Sequence, residues 1–382
     1  MTTSIPLGLY IHWPYCARIC PYCDFNVFKA RSTHDDLVEA ICTDMAAWRA
    51  LTGARALTSI HFGGGTPSLL TPSQLGRMVD TAEQLWGFEP DVEIGLEGNP
   101  NDHAGFAGLA KAGANRISLG VQSFDNDALK MLGRDHDSLT ARQAIDAAQA
   151  AFPRVSFDMI YALENQSVDD WSRELKRALA YGTEHLSLYQ LTIEPGTAFD
   201  RRVARGEMTA PDSDMGADLY AVTQEVCARA GLEPYEISNH ARDDAARSVH
   251  NSLYWTGGDW IGVGPGAHGR LGSHSAGGRL ASEAARKPAN YITQVTQAGR
   301  GFAGATLPAE DEAVERVLMG LRIKEGLARK SLMALTGFDI QADTAARYAE
   351  QGLVTLTGAR VALTPAGRPF GDRIAADLAP DA

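Results

Sequence analysis

An α/β fold built on a parallel sheet is expected from three features of the sequence. From residue 7 to about 193, apolar strand-like runs alternate with helix-like stretches, giving six βα steps in a row. The runs are nearly continuous in apolar residues, as parallel strands covered on both faces should be. Each run also ends in a polar or glycine-rich turn. Right-handed crossovers leave a barrel or a doubly wound sheet, and both gather function at the C-terminal ends of their strands.

The first strand, Leu7–Trp13, runs into Cys16-Ala-Arg-Ile-Cys20-Pro-Tyr-Cys23, which places three of the five cysteines at C-x3-C-x2-C spacing. Thiolates grouped this tightly hold a metal or an iron–sulfur cluster. A structural zinc site takes four ligands and a closed [4Fe–4S] cluster four cysteines. Cys42 and Cys227 stand alone in helix-like segments, with no partner at ligand spacing. Three thiolates on a cubane would leave one iron open to a small molecule. Zinc with a borrowed fourth ligand such as His12 also fits the spacing. A disulfide does not suit an odd cysteine count in a chain without a secretory signal.

Helix-like stretches follow at Thr33–Leu51, Pro72–Trp86, His103–Ala112, Ser138–Ala151 and Ser167–Tyr181, with strands at Leu57–Phe62, Val92–Glu97, Arg116–Val121, Val155–Tyr161 and His185–Ile193 between them. The second strand ends in Gly63-Gly-Gly-Thr-Pro67, either a cradle that lets backbone amides approach a ligand or only a tight turn. The third ends in Glu97-Gly-Asn-Pro100, with a carboxylate able to accept from a ribose hydroxyl. Gln122 closes the fourth, Arg134 follows in Leu132-Gly-Arg-Asp-His136, and Asp158 lies in the fifth; capping of strand ends would also account for these three.

Residues 209–305 are less regular. A helix over Ser213–Ala230 leads to His250-Asn-Ser-Leu-Tyr-Trp255, then to a glycine-rich loop carrying His268. Imidazole is a common heme ligand and aromatics cover porphyrin faces, although a histidine beside two aromatics also serves as a hydrogen-bonded structural residue. Over 306–382, helical patterns at Glu310–Lys324, Lys330–Leu335 and Ala342–Gln351 precede a hairpin, Leu353–Leu356 with Arg360–Leu363. That order suggests a winged-helix-like domain. Its nine Lys and Arg against eleven Asp and Glu give no nucleic-acid footprint, so a lid or docking surface is the better reading.

The cysteine motif with Tyr22 before its last cysteine resembles that of the radical S-adenosylmethionine (SAM) enzymes. The longer string Tyr10-Ile-His-Trp-Pro-Tyr-Cys16 is similar to the branch that contains oxygen-independent coproporphyrinogen III oxidase and the heme chaperones. The resemblance implies a partial (β/α)6 barrel over residues 1–208, an irregular α/β extension over 209–305 and a winged-helix-like α+β domain over 306–382. It implies that Cys16, Cys20 and Cys23 hold a [4Fe–4S] cluster whose open iron chelates SAM; in that superfamily reductive cleavage of SAM gives a 5′-deoxyadenosyl radical. Tyr10, Tyr22, Gly64, Gly65, Thr66, Glu97, Gln122, Arg134 and Asp158 would then line the SAM or substrate side. The string H-N-x-x-Y-W matches a heme-binding motif of the branch, which points to His250, Asn251, Tyr254 and Trp255. One departure is visible: Ala162-Leu-Glu-Asn-Gln166 stands where relatives carry a Gly-Leu-Pro-Gly-Gln type of turn.

The chain of 382 residues carries a net charge of −12, which argues against general affinity for nucleic acid or anionic membrane. No run approaches the ~18 apolar residues of a membrane span, and the first residues lack a signal-peptide pattern. A cytoplasmic protein is expected, with room for peripheral membrane association and for a homodimer. Two functions fit: an oxidase that removes hydrogen and carbon dioxide from two propionates, or a chaperone that binds heme or porphyrin and delivers it to apo-hemoproteins. The oxidases have a longer arm before the first strand and a further cysteine after the motif, where this chain has Asp24-Phe-Asn26. Together with His250–Trp255, these departures favour the chaperone.

Overall fold

The computed structural model describes residues 5–30, 34–273, 277–335, 337 and 339–380. Strands β1 (Leu7–Trp13), β2 (Leu57–Gly64), β3 (Phe88–Gly98), β4 (Arg116–Gln122), β5 (Arg154–Tyr161) and β6 (His185–Gln190) pair in sequence order, all parallel. Helices α1 (Asp35–Thr52), α2 (Pro72–Trp86), α3 (Phe106–Lys111), α5 (Ser138–Ala151) and α6 (Val168–Leu179) fill the crossovers. The expected helix start at Thr33 lies outside the described residues. Two short helices, α4 (Asn126–Met131) and α7 (Ala198–Ala204), were not expected from the sequence.

The strands are less uniformly apolar than expected. Leu9, Ile11, Ile60, Phe62, Ile117, Leu119, Phe157 and Leu186 join one core with helix residues such as Ile41, Met45 and Trp171. The alternate positions carry Tyr10, His12, His61, Glu97, Ser118, Asp158 and His185, which meet one another across the barrel. The two faces of each strand are therefore both covered, but only the outer one by hydrocarbon.

Residues 209–305 turn out to extend the barrel sheet. After α8 (Ser213–Arg229), β7 (Glu233–Pro234) and β8 (Asn239–Ala241) add antiparallel strands beside β6. On the other edge β9 (Asp259–Val263) pairs parallel with β1, followed antiparallel by β10 (His268–Ser273), β11 (Gly278–Ala284) and β12 (Phe302–Leu307). The result is one twelve-stranded sheet in which, among the described residues, β6 does not close onto β1. Helix α9 (Val249–Trp255) lies under the barrel and α10 (Pro288–Ala298) packs on α1.

The last segment builds its own core around Val317, Leu332, Val361 and Ile374. Its helices are α11 (Ala309–Gly320), α12 (Arg329–Met333) and α13 (Ala342–Glu350). The hairpin of β14 (Val354–Leu356) and β15 (Arg360–Leu363) is joined by β13 (Leu327–Ala328), and α14 (Gly371–Leu378) closes the chain. No helix among the described residues is long and apolar enough to cross a membrane.

Candidate functional site

A cavity of about 390 Å³ opens at the C-terminal ends of the barrel strands. Cys16, Cys20, Cys23 and Tyr22 enter it from the loop after β1, Gly64, Gly65 and Thr66 from the end of β2, and Glu97 from β3. Gln122, Arg134 and Asp158 complete the wall. Eleven of the twelve residues expected outside the heme motif, the cluster thiols included, thus share one space. Tyr10 is the exception among the residues expected there.

The loops are pinned to one another. Gly65 N–H donates to the Trp13 carbonyl (2.7 Å) and Thr66 N–H to the Tyr15 carbonyl (2.8 Å), so the end of β2 rests on the start of the cysteine loop. A Cβ on Gly65 would stand 2.7 Å from the Tyr15 carbonyl oxygen, and one on Gly64 (φ +103°) 2.4 Å from the His12 ring. The glycines are thus required by loop-on-loop packing as well as by the cavity. Gly64 N–H also donates to Glu97 Oε2 (3.2 Å), which fixes that carboxylate at the rim.

The thiols sit in a setting suited to a soft, electron-rich group. Burial raises the Cys16 thiol, opposed by a hydrogen bond from Thr66, and burial pushes Cys23 up to about 11. Left alone they stay protonated; as ligands they must give up their protons. Arg134 Nη1 lies 3.3 Å from Cys20 Sγ, so a permanent positive charge is ready for the thiolate. Cys42 and Cys227 are buried elsewhere, Cys42 beside Thr81 and Cys227 pushed up to about 12 by burial alone. The His12 ring is fully used, by the Tyr10 hydroxyl (2.9 Å) and the Asn26 carbonyl (3.0 Å). It is therefore no fourth ligand for zinc. Among the described residues no group of His, Cys, Asp and Glu is arranged around a single ion. A cubane asks for something different, since each thiolate takes its own iron, and the donor set fits that cluster.

Polar groups facing the cavity fit a small zwitterion. Gln122 stands in the left-handed region (φ 65°), a strained conformation for a non-glycine residue, where the β4–β5 register slips. Its Oε1 and the Arg134 Nε are buried, without a partner among the described residues. Asp158, held by Ser118 (2.9 Å), has its carboxyl pushed up to about 6 by burial and by Glu97, against hydrogen bonds from Ser118 and Ser187. Ser118 was not singled out in the sequence; its signal is the inward alternation with Gly120 on the same strand.

The heme-motif residues lie elsewhere. His250 is 3% exposed and plugs the barrel from below, stacked on His61 (4.6 Å between centroids) and Tyr10 (6.1 Å), with Nδ1 at 3.4 Å from Ser59 Oγ. Tyr10 correspondingly belongs to this interior column and not to the mouth. Tyr254 packs edge-on against His250 and tilted on Trp260, and Arg322 of the last domain stands 5.0 Å over the Trp255 ring. The motif is therefore enclosed between barrel floor and C-terminal domain, and in this conformation His250 is not offered to a porphyrin; Asn251 beside it is half-buried.

Glu93, which the sequence reading passed over, organises this floor. It binds Arg154 (2.8 Å), faces Arg116 (3.9 Å) and accepts from the Val249 and His250 amides (3.1 and 3.0 Å) and the Ser248 hydroxyl. Burial works to raise its carboxyl, but Arg116, the His250 amide and Arg154 hold it below the usual range.

Residues 10–178 match the radical SAM superfamily and residues 307–370 the HemN C-terminal domain. The chain is 34% identical to heme chaperone HemW of Mycobacterium tuberculosis, over 98% of this chain and 95% of that protein. It is 39% identical to zebrafish (Danio rerio) radical S-adenosyl methionine domain-containing protein 1, mitochondrial, over 86% of this chain and 75% of the relative. Coproporphyrinogen III oxidase (HemN) from Escherichia coli, described as a radical SAM enzyme, shares the fold with a TM-score of 0.80 at 22% identity, covering 98% of this chain and 90% of that one.

Proposed function

The chain belongs to the heme chaperone HemW family of the radical SAM superfamily, and on that premise we propose that it binds heme and delivers it to apo-hemoproteins while carrying a [4Fe–4S] cluster and SAM. The observation that carries this reading is the meeting of the three motif thiols with Glu97, Gln122, Arg134 and Asp158 in one cavity, on a chain that aligns with HemW along nearly its whole length. The cluster, once bound, would supply an electron of the kind that cleaves SAM reductively in that superfamily. Cys16, Cys20 and Cys23 hold it and Arg134 offsets the charge at Cys20. Glu97, fixed by Gly64, orients the nucleoside, with Gln122, Arg134 and Asp158 walling the cavity beside it.

In the proposed division of labour, 1–208 houses cluster and SAM, 209–305 contributes the heme motif, and 306–382 covers it. Heme is taken along α9, where Asn251, Tyr254 and Trp255 are half-buried, and His250 becomes a ligand when α9 withdraws from the barrel floor. Two features favour the chaperone over the oxidase. Phe25 is exposed where the oxidases place a further cysteine, and Asn26 ties that loop to the Pro265 and Arg286 carbonyls (2.9 and 2.8 Å). The reading sets the transfer in the cytoplasm, with peripheral docking where the acceptor is membrane-bound and a homodimer as a working form.

Hemin titration of the anaerobically reconstituted protein, run beside a decarboxylase assay, tests the reading. The expected result is saturable heme absorbance, lost in His250→Ala with cluster absorbance intact, and transfer to an apo-acceptor. Decarboxylation of coproporphyrinogen III with SAM and reductant, without heme transfer, would make the chain the oxidase instead.

A further inference from the structure

A second cavity, about 240 Å³, opens at the opposite end of the barrel, where β4, β5 and β6 begin. Its wall includes Arg116, Gln149, Phe152, Arg154, Thr183 and Glu184. Most of the polar groups there are already spoken for. Arg154 donates to Glu93 and to the Ala245 and Arg247 carbonyls, Gln149 to the Tyr181 carbonyl, and Glu184 answers Arg242 at the rim. The His185 ring is used by Ser156 and Tyr235.

One group is left over. Arg116 is 5% exposed, yet its guanidinium makes no hydrogen bond among the described residues, and its nearest carboxylate, Glu93, is 3.9 Å away. A guanidinium brings five N–H donors, and an unmatched buried polar group is costly. Arg116 and Arg154 face the one carboxylate of Glu93, so one positive charge is in excess.

We infer that this cavity binds a carboxylate. A planar monoanion matches the guanidinium fork through two parallel hydrogen bonds. It also cancels the single excess charge, which a phosphate dianion would overshoot. The volume falls below the ~300 Å³ at which pockets for drug-sized ligands begin, so a short acid fits and a porphyrin ring does not. Ala246 on the wall lies just ahead of α9, so a propionate arm of a heme docked along that helix would also reach it. That source rests on the heme reading above; a free short acid does not.

The test titrates sodium propionate into the reconstituted protein at constant ionic strength, followed by calorimetry. Saturable binding is expected, weakened about tenfold or more in Arg116→Gln and severalfold in Arg116→Lys, which keeps the charge but not the fork should Arg116→Gln fold poorly. No saturable binding, equal binding in both variants, or preference for inorganic phosphate would overturn the inference. Hemin and its dimethyl ester separate the sources. Weaker binding of the ester, with the difference lost in Arg116→Gln, assigns the site to the propionate arm; equal binding assigns it to a free acid. Failure of hemin to bind at all would defeat the heme reading while leaving the propionate result standing.

Discussion

Asp158 carries a pH signature within the cavity wall itself. Its carboxyl is pushed up to about 6, so the fold favours the neutral form. The sign follows: its contribution to stability is fully present below pH ~4, the range of a free Asp, and is lost as pH rises through 6. Asp158→Asn should match the wild type near pH 4 and exceed it at pH 8, by on the order of 2 kcal/mol, in urea unfolding at fixed pH. A constant difference across that range would show that the carboxylate is not strained by its burial. Most residues of the mouth were legible in the sequence because they sit at strand ends or in the loops that follow them, positions that topology alone brings to one face. Tyr10 and His250 were not, because their place depends on what stacks against them. A histidine between aromatics reads the same whether it waits for a porphyrin or, as here, closes a column with His61.

At the scale of elements, α9 is held under the barrel chiefly by one carboxylate. Glu93 accepts from the first amides of the helix while answering two arginines, so Glu93→Gln leaves both guanidinium groups without a counter-charge. A loss of about 3 kcal/mol is expected, together with faster amide exchange across residues 248–255. Unchanged exchange there would mean the helix is held by its aromatic contacts instead. The turn after β5 gives an opposite case. Ala162 (φ 59°) and Asn165 (φ 63°) adopt left-handed backbone at the two positions where relatives carry glycine. The unusual turn therefore keeps its shape at the expense of strain. Ala162→Gly should stabilise the protein by about 1 kcal/mol in urea unfolding, and destabilisation would show that the unfolded-state entropy of glycine dominates. The six barrel strands and their long helices were visible in the sequence because burial on both faces and helical periodicity are local signals. Helices α4 and α7, of six and seven residues, are too short to show a period. Strands β10 to β12 are rich in glycine and small polar residues, and their order comes from pairing with one another.

Over the whole molecule the barrel has two working ends. The mouth gathers thiols, carboxylates and Arg134 around the cavity at the strand C-termini, and the floor is sealed by α9 beneath Glu93. Between them runs a column of rings from His250 through His61, whose Nε2 stands 3.5 Å from the Glu97 carboxylate of the mouth. The C-terminal domain covers the floor through Arg322 on Trp255 and Glu325 on Arg247 (2.8 Å). In the proposed reading, the SAM side and the segment proposed for heme lie at opposite poles. All of it depends on the mouth holding an iron–sulfur cluster on three thiolates. Iron, zinc and acid-labile sulfide in oxygen-free protein test that point most directly, with Cys20→Ala and Cys42→Ala measured alongside. About four iron and four sulfide per chain are expected, retained in Cys42→Ala and lost in Cys20→Ala. Zinc in place of iron and sulfide, or a full cluster surviving in Cys20→Ala, would contradict it.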